Sequence, residues 1–214
     1  MKHIFSKNGF YPLINQFLRV SPPPKANLAD NPLMYWRERI SQVFSASMIF
    51  LSTLILIPSS IQLFKNGIFW AFYVDILFYG IGLYVAASRK ISFRQRQIVQ
   101  YTLIFLVAAA LQLSVPFSGV ALPWLFAFPV LAGAQMGKGA AFKATLANVF
   151  YFILFGVLIA SGILRMTVMA TMNITDWALI AVNFLPLNFG AAIALATLLE
   201  GLSTSIQNEK KART

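Results

Sequence analysis

Residues 43–64, VFSASMIFLSTLILIPSSIQLF, run without a charged side chain between Arg39 and Lys65. As a helix this stretch rises about 33 Å, enough to cross a hydrocarbon core of about 30 Å. Working outward, further stretches of similar length and character lie at 67–87, 98–115, 120–137, 144–164 and 177–199. The expected fold is all-α, a polytopic bundle of six transmembrane helices. An even number of crossings puts both termini on one side. The basic residues choose that side. Lys2, Lys7, Arg19, Lys25, Arg37 and Arg39 precede the first span, and Arg89, Lys90, Arg94 and Arg96 follow the second. Lys138 and Lys143 follow the fourth, and Lys210, Lys211 and Arg213 follow the sixth. Of the 17 basic residues only Lys65 and Arg165 fall opposite. By the positive-inside rule both termini are expected in the cytoplasm.

Composition agrees. With 58% hydrophobic residues, 11% charged and a mean hydropathy of +0.72, the chain carries under half the charge of an ordinary soluble domain, where about a quarter of residues are charged. In a soluble protein the net charge of +11 would point to nucleic acid. Here the charges sit just beyond apolar spans, so the expected partners are the bilayer and its anionic inner-leaflet lipids, with no nucleic acid. There is no cysteine, which excludes disulfides and thiolate chemistry. The first 30 residues lack a continuous apolar core, so the first span is expected to serve as its own insertion signal.

Residues 1–30 read as a cytoplasmic amphipathic arm, with Phe10, Leu13, Ile14, Phe17 and Leu18 at helical spacing and Pro22, Pro23 and Pro24 ending it. Asn31-Pro32 is a helix start, a capping residue followed by proline. Residues 31–42 are expected as an interfacial helix whose Tyr35, Trp36, Arg37 and Arg39 anchor it at headgroup level, ahead of the six-helix bundle over 43–200. Lys65-Asn66 and Pro116 to Gly119 are expected as tight outer hairpins, Lys138 to Lys143 as a tight inner one, and 165–176 as the longest outer connection. Pro58, Pro123, Pro129 and Pro186 interrupt spans, and each removes a donor that a neighbouring helix must replace. The clusters Ala108-Ala109-Ala110, Ala132-Gly133-Ala134 and Gly190-Ala191-Ala192 permit close helix approach.

Asp75 is the clear intramembrane ionisable residue, and it is the first candidate for a ligand or ion. Gln112, Asn148, Asn183 and Asn188 are further candidates, either lining a cavity or bonding helix to helix. Aromatic residues of the second and fourth spans, such as Phe78, Tyr79 and Trp124, can wall a pocket or simply pack. Enzyme motifs are missing. The single histidine, His3, leaves no paired-histidine haem site, zinc motif or triad. There is no phosphate-binding glycine loop. No catalytic residue, metal or cofactor is expected.

The sixth span continues as an a/d stripe, Leu195, Leu199, Leu202 and Ile206, while the other positions turn polar. Residues 201–214 therefore read as the first heptads of a coiled coil that continues the sixth helix into the cytoplasm. Pro186 and the Gly190-Ala191-Ala192 segment would be its adjustable part. Three elements, Asn31-Pro32-Leu33-Met34-Tyr35-Trp36-Arg37-Glu38-Arg39-Ile40, Trp124-Leu125-Phe126-Ala127-Phe128-Pro129 and Leu199-Glu200-Gly201-Leu202, resemble the N-terminal six-span sensor region of bacterial membrane histidine kinases, often hybrid kinases with PAS domains. That resemblance implies a sensor domain over 43–200 in a bacterial inner membrane, a homodimer, 201–214 as the start of a cytoplasmic signalling helix, and a PAS or kinase region downstream whose kinase domain would hold all catalysis. The rival readings are a small carrier or channel, with Asp75, Asn148 and Asn183 lining one path, and a non-catalytic membrane scaffold.

Overall fold

The computed structural model describes residues 31–88, 90–114, 119, 121–163 and 173–213. The arm over 1–30, Arg89, the hairpin residues 115–118, Val120 and most of the 165–176 connection lie outside the described residues, as does Thr214. Six helices account for nearly all of the rest: α1 Pro32–Lys65, α2 Phe69–Ala87, α3 Phe93–Ser114, α4 Ala121–Met136, α5 Lys138–Ala160 and α6 Ile174–Arg213. Among the described residues there is no strand. Five of the helices are long and apolar enough to cross a membrane, while α4, with 16 residues, is shorter.

Local signals set the ends. The Asn31 side chain accepts from the Met34 N–H at 3.1 Å and Pro32 occupies the first turn. From there α1 runs for 34 residues without a break between 31–42 and the apolar span. At its far end Gly67, with φ +70°, turns the chain, and Phe64 meets Phe69 and Phe72 edge-on. The inner hairpin expected over Lys138 to Lys143 is shorter than that. Those residues form the first turns of α5, and the reversal is made by Gly137 alone. Its φ of +90° is open to glycine without penalty, and its carbonyl accepts from Ala140 and Ala141 to start the next helix.

The bundle is packed inside out. Large apolar side chains such as Val182, Leu187, Ile57 and Phe150 are exposed, while Gln97, Gln100, Gln135, Asn148 and Asn188 are buried. That is the arrangement expected where the surrounding solvent is hydrocarbon and polar groups must find partners within the protein. The short α4 touches α1, α3, α5 and α6 and buries Leu125, Pro129, Ala132 and Gly133. A helix of about 24 Å surrounded by protein avoids most of the mismatch with lipid that it would meet at the rim. The main core lies between α3, α4, α5 and α6, where Tyr151, Phe152, Phe155 and Trp177 cluster. The Trp177 indole N–H donates to the Phe152 carbonyl at 2.7 Å, and Gly156 leaves room for the ring.

The small residues act as expected. A Cβ on Gly133 would lie 2.8 Å from the Ala192 carbonyl oxygen and 3.1 Å from the Ala141 Cβ. The Ala132-Gly133-Ala134 and Gly190-Ala191-Ala192 segments thus meet where α4 and α6 cross.

Candidate functional site

Three helix stripes enclose a slot. Ser45, Met48, Ser52, Leu56 and Ser59 face it from α1, Asp75, Phe78, Tyr79 and Gly82 from α2, and Gln100, Leu103, Val107 and Leu111 from α3, with Trp124 of α4 closing one side. Each set recurs at intervals of three, four or seven, the spacing of one helical face. The slot has a volume of about 430 Å³, within the range of small-molecule sites. Its walls are mostly apolar, with polar groups at the two ends. At one end the Ser59 hydroxyl donates to the Asp75 carboxylate at 3.2 Å. Between the ends the Thr53 and Tyr79 hydroxyls share a 2.8 Å hydrogen bond. At the other end the Gln100 amide donates to the Ser45 hydroxyl, which donates to the Ser41 carbonyl at 2.7 Å. One turn earlier Gln97 donates to the Ser41 hydroxyl.

Asp75 therefore faces a cavity, but the other sequence candidates do not join it. Gln112 is buried on α3 away from the slot. Asn148 and Asn188 form a polar clamp among α4, α5 and α6. Pro129 lacks the N–H that would bond the Leu125 carbonyl, and the Asn148 amide supplies it at 2.7 Å. Asn148 also donates to Asn188 at 2.9 Å, and Asn188 donates to the Phe126 carbonyl at 3.0 Å. Both asparagines are fully buried. Asn183 is exposed and bonds its own helix at the Leu179 carbonyl. Asp75, Asn148 and Asn183 thus line no common path, which corrects the carrier geometry expected from sequence. Asp75 is in the slot, Asn148 is in the core, and Asn183 is outside.

A charged node sits at the end of the bundle opposite Asp75. Glu200 of α6 pairs with Lys138 of α5 at 3.1 Å and with Arg37 of α1 at 3.8 Å. Gly137 lies beneath the pair, where a Cβ would approach an Arg37 guanidinium nitrogen to 2.8 Å. Arg96 is buried close by in the chain's fold, donating to the Ser88 carbonyl at 2.7 Å within electrostatic reach of Glu38. The starts of α1, α3 and α5 and the exit of α6 thus share one end. This gathers Arg37, Arg39, Arg94, Arg96 and Lys138 as the charge pattern requires. Of the anchors, Tyr35 and Trp36 meet edge-on at 5.6 Å with Trp36 half-exposed, and Arg39 donates to Gln42 at 2.7 Å.

The exit helix carries the stripe outward. Leu195 and Leu199 are half-buried against the bundle, Leu202 and Ile206 are exposed, and Pro186 lies on the outer face. Sequence reading singles out neither the charge of Glu200 nor the serines Ser45, Ser52 and Ser59. Their spacing of seven within an apolar span was the available signal. Among the described residues no cluster of His, Cys, Asp and Glu is able to hold a metal ion.

Comparison with known proteins adds one result. No curated protein and no solved structure matches the chain significantly. The profile of MASE11, a family of membrane-associated sensor domains, matches residues 35–202, from the aromatic anchors of α1 to the exit stripe of α6. Matched over most of its length and built of apolar helices packed inside out, the chain belongs to the MASE11 family of membrane-associated sensor domains.

Proposed function

We propose that this chain is the sensory input module of a bacterial two-component histidine kinase, seated in the inner membrane with six crossings and both termini in the cytoplasm. It acts as a homodimer, and kinase catalysis belongs to a PAS or kinase domain joined after α6. The observation that carries this reading is the single helix α6. Its 40 residues extend about 60 Å, twice the hydrocarbon thickness, with Leu202 and Ile206 exposed beyond the bundle. A stimulus that binds one packing better shifts the population toward it, and a continuous helix delivers the difference as a rotation or slide. The Glu200 node ties that helix to α1 and α5 where it leaves the core, so a change in either reaches the exit. The basic residues at this end face the anionic leaflet.

Two measurements test the reading. The chain has no cysteine, so single cysteines report cleanly. In intact cells Lys65→Cys should react with an impermeant maleimide and Lys138→Cys should be protected. The reverse pattern would invert the topology. For signalling, a histidine-kinase domain is fused after Arg213 in a chimaera. Inserting one residue after Ile206 turns the following helix by about 100° and should change autophosphorylation severalfold, while a seven-residue insertion should restore it. Leu199→Gln with Leu202→Gln should also lower crosslinking through Ile206→Cys. Output indifferent to helix phase would sink the sensory reading.

A further inference from the structure

The slot between α1, α2 and α3 is long. The interval from Ser45 to Ser59 along α1 covers about 21 Å, and both serines line the cavity. Its volume of about 430 Å³ is that of a site for one small molecule. The walls between its ends are mostly apolar, formed by Met48, Leu56, Phe78, Leu103 and Val107, with the Ser52 and Tyr79 hydroxyls among them. Leu51, Ile55 and Leu83 also line it and are themselves exposed on the outer surface. That surface is the one hydrocarbon covers, so the slot opens sideways to the bilayer.

The two ends differ. Ser59 and Asp75 lie six residues before and after the facing ends of α1 and α2, about 9 Å in from the hairpin. A carboxylate offers about four acceptor sites, and the described residues supply Asp75 with one hydrogen bond, from Ser59. In hydrocarbon an acceptor so short of donors is costly. At the other end the Gln100 amide nitrogen donates to Ser45, and its neutral carbonyl oxygen is buried without a partner among the described residues.

We propose that this slot binds a single-chain amphiphile from the bilayer, its hydrogen-bond-donating head, a hydroxyl or an ammonium, on Asp75 and Ser59 and its hydrocarbon chain running along α1 toward Gln100. A volume of about 430 Å³ suits one alkyl chain better than the paired chains of a bilayer phospholipid. A fatty carboxylate, itself an acceptor, fits a head site of acceptor oxygens poorly. As the seat of the stimulus this site rests on the sensory reading above. Binding is read from fluorescence and not from signalling through α6, so absence of saturable binding overturns the site alone, and an output blind to helix phase overturns the sensory reading alone.

Trp124 lines the slot, so a brominated chain bound there quenches its fluorescence. The full chain in phospholipid nanodiscs is titrated with bromododecanol, bromododecylamine and bromododecanoate. Saturable quenching is expected for the alcohol or the amine and not for the carboxylate, and Trp124→Phe should remove the saturable part. Asp75→Leu should weaken the affinity at least tenfold. Asp75→Asn, which keeps hydrogen bonding without charge, should spare an alcohol and abolish an amine, which tells the two heads apart. Quenching that rises linearly and equally for all three heads, or that survives Asp75→Leu in a monodisperse protein, would overturn the proposal. If Asp75 variants do not fold, Ser59→Ala decides. A severalfold loss of affinity is expected, and no change counts against the site.

Discussion

Gly133→Ala should lower the stability of the bundle by about 1–3 kcal/mol, the usual cost of forcing a methyl into a filled core, although alanine is the better helix former by about 1 kcal/mol. The reason is geometric. The new Cβ would sit 2.8 Å from the Ala192 carbonyl oxygen of α6 and 3.1 Å from the Ala141 Cβ of α5. Retreat from one neighbour drives it into the other, and a backbone oxygen has no rotamer by which to escape. Gly133→Val should cost more. Gly190→Ala is the control, because nothing lies within 4 Å of a Cβ there, so propensity should leave it neutral or slightly stabilising. Thermal midpoints in detergent, read by intrinsic fluorescence, compare the two. Equal midpoints would mean that α4 and α6 do not approach at Gly133.

The second large effect is expected at Asn148. Asn148→Leu keeps the branched shape, with bulkier methyl ends, and strips donors from two buried acceptors, the Leu125 carbonyl and the Asn188 amide oxygen. Each buried acceptor left bare costs about 1–3 kcal/mol in soluble proteins, while single interhelical hydrogen bonds in a membrane average about 0.6 kcal/mol. With two acceptors fully buried, a loss of about 2 kcal/mol is the reasoned middle. Pro129 makes the test specific. In a Pro129→Ala background the new N–H can bond the Leu125 carbonyl along its own helix, so Asn148→Leu should cost about 1 kcal/mol less, read as coupling in a double-mutant cycle. Additive losses would show that Asn148 does not repair the proline break.

Much of this architecture is local and was therefore legible. Asn31-Pro32 caps a helix whatever follows it, and the Asn31 side chain does accept from Met34. Pro129 had to leave a carbonyl in need of a donor. Which donor it found was not legible, because Asn148, Asn183 and Asn188 are chemically alike and differ only in where their helices turn them. The inner turn was misplaced because Lys138 and Lys143 look like loop residues, whereas one glycine at φ +90° completes the reversal and frees both for α5.

The slot shows the same division. Asp75 was conspicuous as a lone carboxylate in an apolar span, but its partner Ser59 and the neighbouring Ser45, Ser52 and Gln100 belong to other stretches of chain. Glu200 likewise looked like an ordinary end charge until folding brought it against Arg37 and Lys138. What the sequence by itself determined is the helical, membrane-seeking character of the chain, the alternation of its charges and most helix boundaries, since these depend on hydropathy, capping and backbone freedom at each residue. Only the tertiary structure decided which faces meet. In helices apolar on every side, hydropathy does not separate lipid from protein neighbours, and the rotation of each helix about its axis is set by packing against the others.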